Sequence, residues 1–140
     1  MATTTAAVTL SSDLLSDNIS VTTDTTCVKG GTTADGLDQM DMGYIEIATG
    51  TNFDLLDADN ALNKDKANKV YIANESTDET YYVIITIDAT VVGRLYAGDW
   101  MFIPWSATGG GTAADHNDIV ITPSASTDMT IESALIYHED

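Results

Sequence analysis

The chain has 140 residues, with 22 Asp and Glu against 5 Lys and Arg, for a formal charge of -17. That balance excludes DNA, RNA and anionic membranes as expected partners, because binding to such polyanions draws its affinity from Lys and Arg displacing counterions. It also carries a folding cost, since like charges repel across the compact chain over a screening length of about 10 Å at 0.1 M salt. Bound cations, a saline medium or a basic partner would relieve it.

One domain is expected at this length. A hydrophobic content of 44% argues against intrinsic disorder. Cys27 is the only cysteine, so neither an intrachain disulfide nor a cysteine-based zinc site can form. The amino terminus, Met1 to Val8, has neither the basic region nor the long apolar region of a secretory signal, and no apolar run approaches a membrane span. A soluble product, not exported through a cleavable signal, is the expectation. Asn18-Ile-Ser20 and Asn74-Glu-Ser76 match the glycosylation sequon, which matters only in a secreted eukaryotic chain.

Two-residue alternation dominates the pattern. Ala7 to Leu10 and Asn18 to Thr22 are weak opening strands, and Thr23 to Met42 reads as loop, with Gly30-Gly31 and Gly36. Tyr44 to Thr49 is the first strong strand. Asp57 to Lys69 admits one short helix, Asn60 to Lys66, capped by Asp59. Strands then follow at Lys69 to Ala73, Thr80 to Asp88, Trp100 to Ile103, Asp118 to Thr122 and Met129 to Tyr137, each rich in β-branched or aromatic residues. Thr108 to Asn117, around Gly109-Gly-Gly111, is a second loop.

Seven or eight short strands with at most one short helix predict an all-β fold, an antiparallel two-sheet β-sandwich of jelly-roll type. Residues 1–17 form an amino-terminal arm or weak first strand, and 18–140 the sandwich domain. Its expected core takes Ile45 and Ile47, or Tyr71 with its alternates, then Val83, Ile85, Ile87, Ile119, Ile121, Ile131 and Leu135. Thr80 to Asp88 is apolar on both faces, as expected of an interior strand or one covered by a neighbouring subunit.

Motifs for chemistry are weak. Gly109-Gly-Gly-Thr112 lacks the Lys and following helix of a phosphate loop. Asp54, Asp57, Asp59, Asn60, Asn63 and Asp65 have the composition of a calcium site, but counting from Asp57 the EF-hand glycine and glutamate are replaced by Leu62 and Asn68. Ca²⁺ therefore stays a candidate ligand on a run that otherwise reads as a solvated acidic face, and no cofactor is expected. His116 and His138 sit among acidic residues without metal-ligand spacing and read as exposed. No Gly-x-Ser-x-Gly elbow occurs. Two isolated histidines are too few for a cupin-like metal enzyme, so no enzymatic activity is expected.

The aromatic block is the informative feature. Arg94, Tyr96, Trp100, Phe102 and Trp105 bring the only arginine and both tryptophans into one short stretch. Alternation puts Trp100 and Phe102 on one face, opposite Met101 and Ile103. Two readings compete: burial on both faces of a strand, or a partner or oligomer interface anchored by Trp, Tyr and Arg. A sugar-stacking platform is a third.

The cadence Lys69-Val-Tyr-Ile-Ala-Asn74, strand Tyr81 to Asp88, Gly93-Arg-Leu-Tyr-Ala-Gly-Asp-Trp100 and Ile103-Pro104 continues into Asp118-Ile-Val-Ile-Thr-Pro-Ser-Ala125 and Met129 to Ile136. Over this last half the chain resembles small β-sandwich structural proteins of tailed bacteriophages, in particular capsid decoration or cement proteins and related tail domains. The resemblance implies a homo-oligomer, dimer or trimer, on the outer surface of a virion shell, with the major capsid protein as partner. It also implies that the arm Ala2 to Ala7 could lie across a neighbouring subunit. The alternative is a receptor- or carbohydrate-binding domain of a phage tail or fibre.

Overall fold

The computed structural model describes residues 3–12, 19–28, 35–48, 51–58, 67–106, 117–125 and 128–138. Among the described residues ten strands run in chain order: β1 (Thr5–Ser12), β2 (Ile19–Thr26), β3 (Gln39–Ile47), β4 (Phe53–Leu56), β5 (Asn68–Asn74), β6 (Tyr82–Ile87), β7 (Thr90–Tyr96), β8 (Trp100–Trp105), β9 (Ile119–Pro123) and β10 (Met129–Tyr137). No helix occurs among the described residues, and the short helix expected at Asn60 to Lys66 lies outside them, as does Gly109 to Thr112.

Two four-stranded antiparallel sheets, β3-β10-β5-β8 and β4-β9-β6-β7, form the sandwich. From β3 onward the chain alternates between them except at the β6–β7 hairpin, which is the strand order of a jelly roll. The expected all-β sandwich is the fold. β1 and β2 stand apart as a two-stranded ribbon, paired along their whole length from Thr5–Thr26 to Ser12–Ile19. A division at residue 18 therefore falls inside this hairpin.

The core fills the gap between the sheets because alternate positions of each strand face it. Val70 and Ile72 on β5, Val83 and Ile85 on β6, Ile119 and Ile121 on β9 and Met129 and Ile131 on β10 are all fully buried. Each such side chain contributes about 1.5–3 kcal/mol over its exposed state. Ile45, Ile87 and Leu135 pack against this cluster half-buried. Tyr71 faces the other way, since its neighbours Val70 and Ile72 take the interior positions. β6 is an interior strand, between β9 and β7.

Both prolines lie where the ladder tolerates a missing N–H. Pro104 is on β8, an edge strand paired only with β5. Pro123 ends β9 beyond the reach of β4, whose pairing with β9 stops at Ile121.

The turn between β6 and β7 is a two-residue loop, Asp88-Ala89, with both φ angles positive at 48° and 57°. That is the signature of a type I′ hairpin turn, in which glycine is preferred and alanine strained. Ala89→Gly, which creates an Asp-Gly turn, is expected to raise stability by about 1 kcal/mol, read as a higher urea midpoint at unchanged slope.

Candidate docking face

The hairpin is held to the body through its base. Thr4 N–H donates to the Leu37 carbonyl, Leu37 N–H to the Cys27 carbonyl and Cys27 N–H to the Thr4 carbonyl, each at 2.9 Å. A Cβ at Gly36 would come within 2.6 Å of the Thr3 methyl, so a side chain there would displace Thr3. Beneath this knot Cys27, Leu37 and Ile136 form a second small core, packed by Ala6 and Phe102. His138 contributes to it: its Nδ1 lies 3.2 Å from the Gly36 carbonyl and 3.3 Å from Asp38. This corrects the expectation of an exposed histidine, because β10 carries His138 back against residues 36–38. His116 lies outside the described residues.

The second core sits on the outer face of the β3-β10-β5-β8 sheet, and strand register maps that face row by row. One row runs Met40–Ile136–Lys69–Pro104, the next Met42–Ala134–Tyr71–Phe102, and the third Tyr44–Glu132–Ala73–Trp100. The second row is apolar apart from the tyrosine hydroxyl. The hairpin covers only part of the face: Met42 is 58% exposed, Tyr44 65% and Trp100 53%. Along the covered margin Ala6, Ala7 and Val8 border a groove of about 410 Å³ that Met40, Tyr71 and Phe102 also line. Met40, Met42, Tyr44 and Trp100 thus form an apolar patch on one sheet face, which makes it a candidate interaction surface.

Glu132 is the polar group within the patch. It accepts a hydrogen bond from the Tyr44 hydroxyl and its charge also opposes ionisation of Tyr44, holding that phenol above its ordinary pKa. Burial raises Tyr71 first, followed by the charges of Glu132 and Glu75. A raised tyrosine pKa means that the folded state holds the proton more tightly. Its stabilising effect is complete below about 10, the unfolded value, and is lost as pH rises through the folded value. An ultraviolet titration is expected to show Tyr44 and Tyr71 ionising above the ordinary tyrosine range. Glu132→Gln is expected to return Tyr44 towards its ordinary value.

The aromatic block does not converge. Trp100 and Phe102 lie on the outer face just described. Trp105 faces inward and is 4% exposed, with its indole Nε1–H donating to the Asn117 carbonyl at 2.7 Å. It is a core side chain, and at this position the reading of burial within the sandwich prevails over that of an interface. Arg94 and Tyr96 belong to β7, at the far edge of the opposite sheet. There Arg94 stacks over Tyr82 at 4.6 Å, and Tyr82 meets Tyr96 with ring centroids 5.2 Å apart. They form a separate exposed cluster.

Met40, Met42, Tyr44, Tyr71, Ala134 and Ile136 are the face residues that sequence reading missed. Their signal was the Met-x-Met-x-Tyr alternation, hidden because Met40 and Met42 fell within the expected loop. That loop assignment is corrected at both ends, since Thr23 to Thr26 belong to β2 and Gln39 to Met42 to β3.

Of the candidate calcium run, Asp54 and Asp57 are described, while Asp59, Asn60, Asn63 and Asp65 lie outside the described residues. Among the described residues no group of three or more His, Cys, Asp or Glu is placed to hold a metal ion. No protein-family model matches the chain, and no curated protein matches its sequence.

Proposed function

We propose that this chain is a non-enzymatic virion structural protein, a capsid decoration or cement protein that binds the outer surface of a bacteriophage shell and stabilises it by bridging major capsid protein subunits. The observation that carries the docking role is the half-open apolar face of the β3-β10-β5-β8 sheet, with Met40, Met42, Tyr44 and Trp100 exposed on a chain of charge -17. A chain so acidic gains nothing by displaying four large apolar side chains together unless something covers them. The choice of a capsid as the partner comes from the resemblance in residues 69–136. Self-association as a dimer or trimer would let one copy touch several shell subunits.

Purified virions are expected to contain the protein at a copy number comparable to that of the major capsid protein. A copy number matching only the tail tip would overturn the capsid assignment. Met42→Asp is expected to change folding stability by less than about 0.5 kcal/mol, because the side chain is exposed. It should weaken capsid binding by at least about 2 kcal/mol, close to thirtyfold, as for a central interface residue. Unchanged binding by this variant would remove the sheet face from the interface.

The second reading, a receptor- or carbohydrate-binding tail domain, is favoured by one observation: Trp100 presents an exposed ring beside Tyr71, with centroids 6.4 Å apart. Trp105, being buried, cannot serve as its platform. Glycan-array binding lost on Trp100→Ala would support this reading, and absence of any glycan signal with or without Ca²⁺ would dismiss it.

A further inference from the structure

The β1–β2 ribbon leaves one strand edge unguarded. Every other sheet edge among the described residues carries a device that discourages pairing with another chain: Asp41 and Glu46 on β3, Pro104 on β8, Asp54 and a register break on β4, Arg94 and a register shift on β7, and Asp24 on β2. β1, Thr-Ala-Ala-Val-Thr-Leu-Ser-Ser, has neither a charge nor a proline, and its pairing with β2 runs without a bulge.

The ladder fixes which groups of β1 face outward. Cys27 N–H donates to the Thr4 carbonyl at 2.9 Å, so alternation along the ribbon directs Ala6, Val8 and Leu10 to β2. The N–H and C=O groups of Thr5, Ala7, Thr9 and Ser11 therefore point away from β2, along the free edge. That edge borders the groove of about 410 Å³, because Thr4 to Val8 line it consecutively and none of the described β2 residues does. Met40, Tyr71, Phe102 and Ile136 line the same groove from the sheet. Leu10 shares the strand face of Ala6 and Val8 but lies past the end of the groove and is 59% exposed.

We propose that β1 pairs antiparallel with β1 of a second copy about a two-fold axis at Val8, giving a ribbon of order β2-β1-β1-β2 and seating Leu10 of each copy in the groove of the other.

Three features select a second copy as the occupant. With Val8 opposite the partner's Val8, Thr5 meets the partner's Ser11 and Ala7 the partner's Thr9, so every outward-facing group of β1 finds a mate. The same register puts the partner's Leu10 opposite Ala6, above the apolar floor, so an exposed side chain and an open groove of one chain cover each other. No charge meets a charge along this seam, whereas two chains of charge -17 repel elsewhere. The inference goes beyond the docking reading and needs no shell. Tyr44 does not line the groove and stays open on the same sheet face.

The test is sedimentation of the isolated full-length protein. A monomer–dimer equilibrium is expected, with a Kd of about 10 μM as for a small interface, saturating at the dimer. Thr9→Pro removes an outward N–H and spares the ladder with β2. It is expected to weaken the dimer at least about thirtyfold, because each dimer carries the change twice. Val8→Cys reports the register: it should give a disulfide-linked dimer on mild oxidation, since the residue opposes itself in a non-hydrogen-bonded pair. Cys27 is buried and does not compete. Thr5→Cys, which faces the partner's Ser11, should stay uncrosslinked. If Thr9→Pro fails to fold, the Val8→Cys cross-link still decides. A monomer at about millimolar concentration, a trimer or larger species, a folded Thr9→Pro variant that dimerises undiminished, or equal cross-linking of Val8→Cys and Thr5→Cys overturns the proposal. So does a monomer whose β1 amides gain hydrogen-exchange protection only when phage shells are added, which assigns the edge to the shell protein. Loss of the dimer leaves the docking reading standing, because the Met42→Asp experiment reads binding to the shell.

Discussion

Trp105→Ala is expected to destabilise the protein by about 3–5 kcal/mol, with a lowered urea midpoint and little change in slope. Two effects add. The substitution empties the largest side-chain volume at the β8 end of the core, and it frees the Asn117 carbonyl that now accepts the indole N–H. Asn117 in turn donates from Nδ2 to the Ser106 carbonyl at 3.0 Å, so the indole and the amide together fasten the start of β9 to the end of β8. Trp100→Ala, five residues away on the same strand, is expected to cost less than about 1 kcal/mol, because its ring is half in solvent. The contrast separates core from docking face. Equal costs for the two tryptophans would contradict the assigned register of β8.

Asn74→Ala is the second large effect, expected at about 2–3 kcal/mol. Asn74 is fully buried at the end of β5, where the connections β5–β6 and β7–β8 meet. Its Nδ2 donates to the Leu95 carbonyl at 3.0 Å and reaches the Tyr81 carbonyl at 3.5 Å, while its Oδ1 accepts from Ser76 N–H at 3.1 Å. Its backbone also carries the neighbouring turn, accepting from Gly98 N–H at 2.8 Å and donating to the Asp99 carbonyl at 3.0 Å. The Leu95 bond dominates the cost, since it is short and buried, and removing one partner of a buried hydrogen bond costs about 1–3 kcal/mol. Tyr81 loses little, because its carbonyl also accepts from Ala97 N–H at 3.0 Å. Asn74→Asp preserves the shape but turns an acceptor towards Leu95, so it should be at least as damaging as the alanine change. A cost near zero for both would mean that water replaces the amide.

The strands that were legible in the sequence are those with one buried face and no interruption. Met129 to Tyr137 matched β10 at both ends, and Lys69 to Ala73 and Thr80 to Asp88 matched β5 and β6 within two residues at either end. β4 escaped notice because it is four residues long, has Asp54 inside it and breaks register beside that residue. β7 was hidden by Gly93 and by a register shift that leaves Val91 and Val92 exposed together. β2 was legible only over Asn18 to Thr22, because no side chain from Val21 to Thr26 is buried and the Thr-rich remainder of the strand has no apolar alternation.

The docking face was illegible for a related reason. In β3 the apolar phase switches: Met40, Met42 and Tyr44 point outward, while Ile45 and Ile47 point inward, with exposed Asp41 and Gly43 holding the inner positions before them. A rule that assigns apolar positions to the core sees only the second half of that strand. The block from Arg94 to Trp105 misled in the opposite way, because proximity in sequence across the turn at Gly98 became separation onto opposite sheets. Glu132, Ala73 and Trp100 come together only through strand pairing, which no local pattern encodes.

A cryo-electron microscopy map of the proposed complex between this protein and a phage shell tests the central claim most directly. The outer face of the β3-β10-β5-β8 sheet, with Met40, Met42, Tyr44 and Trp100, is expected to meet the shell, and the opposite sheet with Arg94 and Tyr96 to point away from that contact. A map in which those four side chains face solvent while another surface makes the contact would contradict it.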